Sequence, residues 1–117
     1  MDHRQLGATD LQVSSIGYGA SSLGGVFHGV DEATGIRAVR TSLELGVTLI
    51  DVSPYYGLTV AESVLGKALV GVPRDSFVLA TKVGRYGDAR TLGQSAVLRR
   101  LACGHWIHAG SIRSQSR

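Results

Sequence analysis

The sequence predicts an α/β chain built on a parallel sheet, and three observations carry that prediction. Short apolar runs at 47–50 and 77–83 have the length and composition of covered strands. Between and before them lie stretches whose apolar residues recur at helical spacing. The links are short, so the order strand, helix, strand, helix, strand implies right-handed crossovers within one sheet.

The elements follow in order. His3 to Leu6 and Leu11 to Val13 flank Gly7-Ala8-Thr9-Asp10, which predicts a small β-hairpin. Ser14 to Gly19 is a short strand running into the small-residue stretch Ala20 to Gly25. Asp31 and Glu32 open a helix, their charges favourable against its dipole. Ile36, Val39 and Leu43 form its inward stripe, Gly35 weakens it, and Gly46 stands where a C′ glycine ends a helix.

Val47 to Asp51 is the second strand. Thr59-Val-Ala-Glu62 reads as a capping box for a second helix. Its inward face is Ala61, Val64, Leu65, Ala68 and Leu69, and Gly71 closes it. Pro73-Arg74-Asp75 turns the chain into the third strand, Phe77 to Val83. Beyond Gly87 the pattern changes: 92–102 is a weak helix with no strand after it, and 103–117 has no periodicity. The expected organisation is therefore 1–87 as one structural unit and 88–117 as a poorly ordered basic tail.

Totals exclude several classes. The 117 residues allow one small domain, and no apolar run reaches the 18 or so residues of a membrane span. Met1-Asp2-His3-Arg4 lacks the apolar core of a signal peptide, so the expected compartment is the cytoplasm. The single cysteine, Cys103, suits a reducing environment. The net charge of +3 is uneven: 1–87 hold eight acids and seven Lys/Arg, whereas 88–117 hold one acid and five arginines. The basic balance belongs to the tail, which has no aromatic platform beyond Trp106, and nucleic acid is not an expected partner.

Three side chains fall at one rim of the predicted sheet. Asp51 ends one strand, Tyr56 sits in the loop after it, and Lys82 ends the next run. Strand carboxyl ends are where α/β proteins build sites. A phenol is a poor acid at neutral pH. A buried ammonium beside it stabilises the phenolate, and a carboxylate orients the ammonium. Such a set moves a proton to or from a carbonyl oxygen, and the matching hydride must come from a nicotinamide cofactor.

Other motifs carry less. Gly17-Tyr-Gly19-Ala-Ser-Ser22 misses the third glycine of the dinucleotide fingerprint, and Gly66-Lys67-Ala68 lacks the hydroxyl and upstream glycine of a P-loop. Cys103, His105 and His108 lack supporting structure for a metal site, and none is expected.

The same residues resemble the aldo-keto reductase family in three ordered blocks. These are Leu6-Gly7 through Val13-Ser-Ser-Ile-Gly-Tyr-Gly-Ala-Ser21; Gly46 with Asp51-Val-Ser, Tyr56-Gly57, Glu62 and Leu65-Gly66; and Leu79-Ala-Thr-Lys82. Asp51-Val-Ser-Pro-Tyr-Tyr-Gly57 and Lys82-Val-Gly-Arg-Tyr86 are most similar to L-galactose dehydrogenases and related aldose dehydrogenases within it. The resemblance covers 1 to about 87. It implies the N-terminal part of a (β/α)8 barrel, about three strands and two helices after the hairpin, where eight strands need about 250 residues.

It also implies NADP or NAD as cofactor and a small sugar or aldehyde as substrate. By position it makes Asp51 the orienting acid, Tyr56 the general acid/base and Lys82 the group that tunes it. Asp51 and the backbone of Ala20 and Ser21 line the nicotinamide, Tyr55 is a pocket wall, and Glu62 is a helix cap. The family's histidine, after a further apolar run, has no counterpart here, nor do its C-terminal cofactor-gripping loops. Those departures imply a truncated chain of low or no turnover. The alternative is a non-catalytic, partly folded fragment or interaction protein with a basic tail.

Overall fold

A computed structural model describes residues 1–82. The third strand is shorter than expected, Val78–Ala80 in place of Phe77 to Val83. Val83 itself, the weak helix at 92–102, the tail from 88, and Cys103, His105, Trp106 and His108 all lie outside the described residues.

Strands β1 (His3–Gln5) and β2 (Gln12–Ser14) form the antiparallel hairpin, with His3 opposite Ser14. Its second strand is tied to the main sheet by a reciprocal exchange. The Ser14 amide donates to Thr48 Oγ1 at 2.8 Å, and the Thr48 amide donates to Ser14 Oγ at 2.9 Å. Both bonds fall at Thr48, just before the parallel strand Leu49–Asp51, so the hairpin sits at the amino end of that strand.

The main sheet is parallel, in the order β3 (Gly17–Gly19), β4 (Leu49–Asp51), β5 (Val78–Ala80). Gly19 pairs with Asp51, and Asp51 pairs with Ala80. All three strands therefore end level, and the segments beginning at Ala20, Val52 and Thr81 emerge side by side. A 3-10 turn, Ala20–Gly24, follows β3 directly.

Helix α1 (Glu32–Glu44) connects β3 to β4. Asp31 is its N-cap, accepting the Thr34 amide at 2.9 Å, and Glu32 supplies the first-turn acid. Gly46, at φ +90°, follows the helix end in the left-handed conformation that favours glycine. Helix α2 (Val60–Ala68) connects β4 to β5 and turns Ala61, Val64, Leu65 and Ala68 inward. These meet Ile50, Val52, Leu79, Val39 and Leu23 in one apolar core, with Ile36 and Leu43 half-buried at its edge.

Gly35 proves to be a packing position. A Cβ there would lie 2.9 Å from Leu23 Cδ2 and 3.2 Å from Val64 Cγ1. The residue that lowers the propensity of α1 thus lets the helix approach α2 and the 3-10 turn.

The Thr59 half of the capping box is corrected by the structure. Thr59 occupies the N-cap position of α2 but at φ +77°, and its side chain makes no capping hydrogen bond. An N-cap normally has extended backbone, which aims its hydroxyl at the helix amides. The left-handed backbone removes that aim. Glu62, in the first turn of α2, is completely buried and accepts a hydrogen bond from Thr81 Oγ1 at 3.4 Å. Among the described residues, no helix is long and apolar enough to cross a membrane.

Candidate active site

The level strand ends bring Asp51, Tyr56 and Lys82 to one rim. Asp51 is the last residue of β4, and Lys82 lies two residues beyond β5. Lys82 Nζ donates to both Asp51 carboxylate oxygens at 2.7 Å and approaches the Val52 carbonyl at 3.4 Å. The same ammonium lies 5.1 Å from the centroid of the Tyr56 ring, within cation–π range.

Partial burial acts to lower the Lys82 pKa. The hydrogen bonds to Asp51, the nearby Tyr56 phenol and the charges of both groups outweigh it and hold the ammonium above the ordinary lysine value. Tuning of a phenol by an ammonium predicts a buried Lys82. The structure differs: the Lys82 and Asp51 side chains are 47% and 48% exposed. Water therefore screens the pair, and its field on the phenol is weaker than in a dry pocket.

Tyr56 is held by its loop. Its amide donates to the Ser53 carbonyl at 3.1 Å, and the Tyr55 amide donates to Ser53 Oγ at 3.2 Å. Three left-handed residues follow: Gly57, Leu58 and Thr59, at φ +62°, +50° and +77°. Such a run reverses the chain into α2 and is unusual for Leu and Thr. Tyr55, expected from the resemblance to be a pocket wall, is about half exposed.

Ala20 and Ser21 open the 3-10 turn after Gly19, whose partner across the sheet is Asp51. Ala20 is wholly buried in the core, and Ser21 beside it is half-buried. Two features were not read from the sequence. One is the burial of Glu62 beside Thr81, the neighbour of Lys82. The other is contact between the turn and the Tyr56 loop at Gly24 and Gly57. The glycine-rich composition of 19–25 was the only available signal for the second. Among the described residues, no group of three or more His, Cys, Asp or Glu side chains could hold a metal ion.

The parallel sheet carries a carboxylate, a phenol and an ammonium at its carboxyl rim, and comparison with known proteins gives the class of protein to which this fold belongs. The family model described as "Aldo/keto reductase family" matches residues 15–102. The chain therefore belongs to the aldo/keto reductase family. It is 49% identical over 87 residues to L-galactose dehydrogenase of Arabidopsis thaliana, covering 73% of this chain and 27% of that protein.

Among solved structures it matches a holo-form aldo-keto reductase from Bacillus halodurans. The TM-score is 0.66 and the identity 41%, over 75% of this chain and 28% of that one. A second match is an aldo/keto reductase from Klebsiella pneumoniae in complex with NADP and acetate. Its TM-score is 0.59 and its identity 33%, over 78% and 32% of the two chains. The α/β unit with its hairpin is thus part of this family's barrel, and the chain spans about a quarter of the Arabidopsis relative.

Proposed function

We propose that these residues form the proton-transfer side of an NAD(P)-dependent oxidoreductase site for a sugar or aldehyde carbonyl, of the L-galactose dehydrogenase kind. The observation that carries the reading is Lys82 Nζ held on Asp51 and set against the Tyr56 ring. In reduction, Tyr56 gives its phenolic proton to the carbonyl oxygen; in oxidation, it takes the hydroxyl proton back. Lys82 stabilises the phenolate left behind, and Asp51 keeps the ammonium charged and aimed. Neither Tyr56 nor its two partners can move a hydride, which a bound nicotinamide supplies or accepts.

The residues present fit the nicotinamide end of that cofactor. The Ala20–Ser21 backbone emerges from β3 beside Asp51, on the rim that carries Tyr56 and Lys82. The NADP in the Klebsiella relative and the resemblance to the Arabidopsis enzyme support NADP or NAD and an aldose. The half-exposed Asp51–Lys82 pair favours slow chemistry, because a solvated ammonium stabilises a phenolate weakly. We expect the 117-residue chain to turn over aldoses far more slowly than the Arabidopsis enzyme.

A chimera tests the reading. Residues 1–82 replace the matching segment of Arabidopsis L-galactose dehydrogenase, and L-galactose oxidation is followed by NAD(P)H absorbance. The expected result is nucleotide binding and turnover. A folded chimera that binds neither nucleotide, or binds one and turns over nothing, would overturn it.

A further inference from the structure

We infer that Gly24 is a positioning residue for Tyr56: its missing side chain lets the 3-10 turn after β3 lie against the Tyr56–Gly57 backbone, and that contact fixes the phenol beside Lys82. The inference rests on the acid/base role proposed above for Tyr56.

The contact is reciprocal. A Cβ on Gly24 would stand 2.5 Å from the carbonyl carbon and oxygen of Tyr56 and 2.8 Å from the Gly57 nitrogen. A Cβ on Gly57 would stand 2.8 Å from Gly24 Cα and 2.9 Å from its carbonyl carbon. Each obstacle is backbone, which cannot rotate aside as a side-chain tip can. Neighbouring glycines differ: at Gly19, Gly25 and Gly29 an added Cβ meets nothing within 4 Å.

The contact bears on chemistry through what each segment carries. The turn begins with Ala20 and Ser21, the proposed nicotinamide-facing backbone, and ends at Gly24. The loop it touches carries the proposed proton donor. Hydride and proton reach adjacent atoms of one carbonyl, so the two segments must keep a fixed spacing. The loop is also the strained part of the rim, with Leu58 and Thr59 left-handed just after the contact. Strain of this kind persists only where surrounding structure holds it. Here the holds are the Thr59 amide on the Pro54 carbonyl at 2.8 Å, the Ala61 amide on the Tyr56 carbonyl at 3.2 Å, and Gly24.

The chain has two lysines, Lys67 and Lys82, so ε-13C-lysine labelling gives one reporter at the site and one away from it. The full chain is compared with Gly24→Ala, Gly29→Ala and Tyr56→Leu by NMR. Gly24→Ala is expected to remove about half or more of the ring-current shift that Tyr56→Leu removes from the Lys82 signal. Lys67 should stay in place, and Gly29→Ala should move neither. A folded Gly24→Ala chain with an unmoved Lys82 signal overturns the inference.

A second measurement does not depend on any variant folding. The unaltered chain should show a strong nuclear Overhauser contact between the Gly24 α-protons and the Gly57 amide, and its absence overturns the inference equally. Neither readout involves nucleotide or turnover. Failure of the proposed activity, read in the chimera, is thereby separate from failure of the clamp.

Discussion

Lys82 and Asp51 are 31 residues apart in sequence, yet the Lys82 ammonium touches both Asp51 carboxylate oxygens at 2.7 Å. Parallel pairing of β4 with β5 produces this contact, because Asp51 is level with Ala80 and Lys82 follows two residues later. The pair joins two strand ends across the rim on which Tyr56 sits.

A raised Lys82 pKa fixes the sign of one pH effect. The folded-state value lies above the unfolded one, so the pair's stabilisation is fully present below the unfolded value, near 10.5, and is lost as pH rises through the folded value. With both side chains about half exposed, its worth is discounted to that of a surface pair, about 0.5 kcal/mol. Asp51→Asn should lower urea-unfolding stability by about that amount at neutral pH, and by progressively less at alkaline pH.

Tyr56→Phe keeps the ring beside Lys82 and removes the proton. In the chimera this should lower kcat by roughly 10²- to 10⁴-fold, the range for loss of a general acid/base, while nucleotide affinity changes little. Stopped-flow and steady-state NAD(P)H absorbance measure both. A variant that keeps full turnover would remove Tyr56 from the reaction.

Gly35→Ala puts two effects in opposition. Helix propensity favours Ala by about 1 kcal/mol, whereas overpacking a well-filled core costs about 1–3 kcal/mol. The added Cβ would meet Leu23 and Val64, both buried, and Val64 is stiff through its β-branch. Net destabilisation of about 1 kcal/mol is expected by denaturant titration.

Asp31 supplies a test in acid. Its carboxyl is held below the usual aspartate range by the hydrogen bond from Thr34. A depressed folded-state pKa gives stability present above the unfolded value and lost as pH falls through the folded one. Asp31→Ala should lower the thermal midpoint at neutral pH, and the gap from the parent should close in acid.

Much of this architecture was legible in the sequence. The run ending at Asp51, the stripe Ala61, Val64, Leu65, Ala68, and Gly46 after α1 each report local preferences that the fold keeps. What escaped depends on distant partners. Thr59 and Glu62 have the spacing of a capping box, but the left-handed turn from Gly57 redirects Thr59, and core packing takes up Glu62. Lys82 ends an apolar run as a buried lysine would, yet its exposure is set by neighbours outside that run. The Gly24–Gly57 approach joins segments separated by a whole helix and strand, and no local pattern encodes it.

The central claim is that Asp51, Tyr56 and Lys82 act as one electrostatic set. It is tested most directly by titrating the Lys82 ε-13C signal in the full chain, with Lys67 as internal comparison. The account predicts a Lys82 midpoint above the ordinary lysine value, lowered by Asp51→Asn and lowered again when Tyr56→Phe is added. A Lys82 midpoint at the ordinary value, unmoved by either substitution, would contradict it.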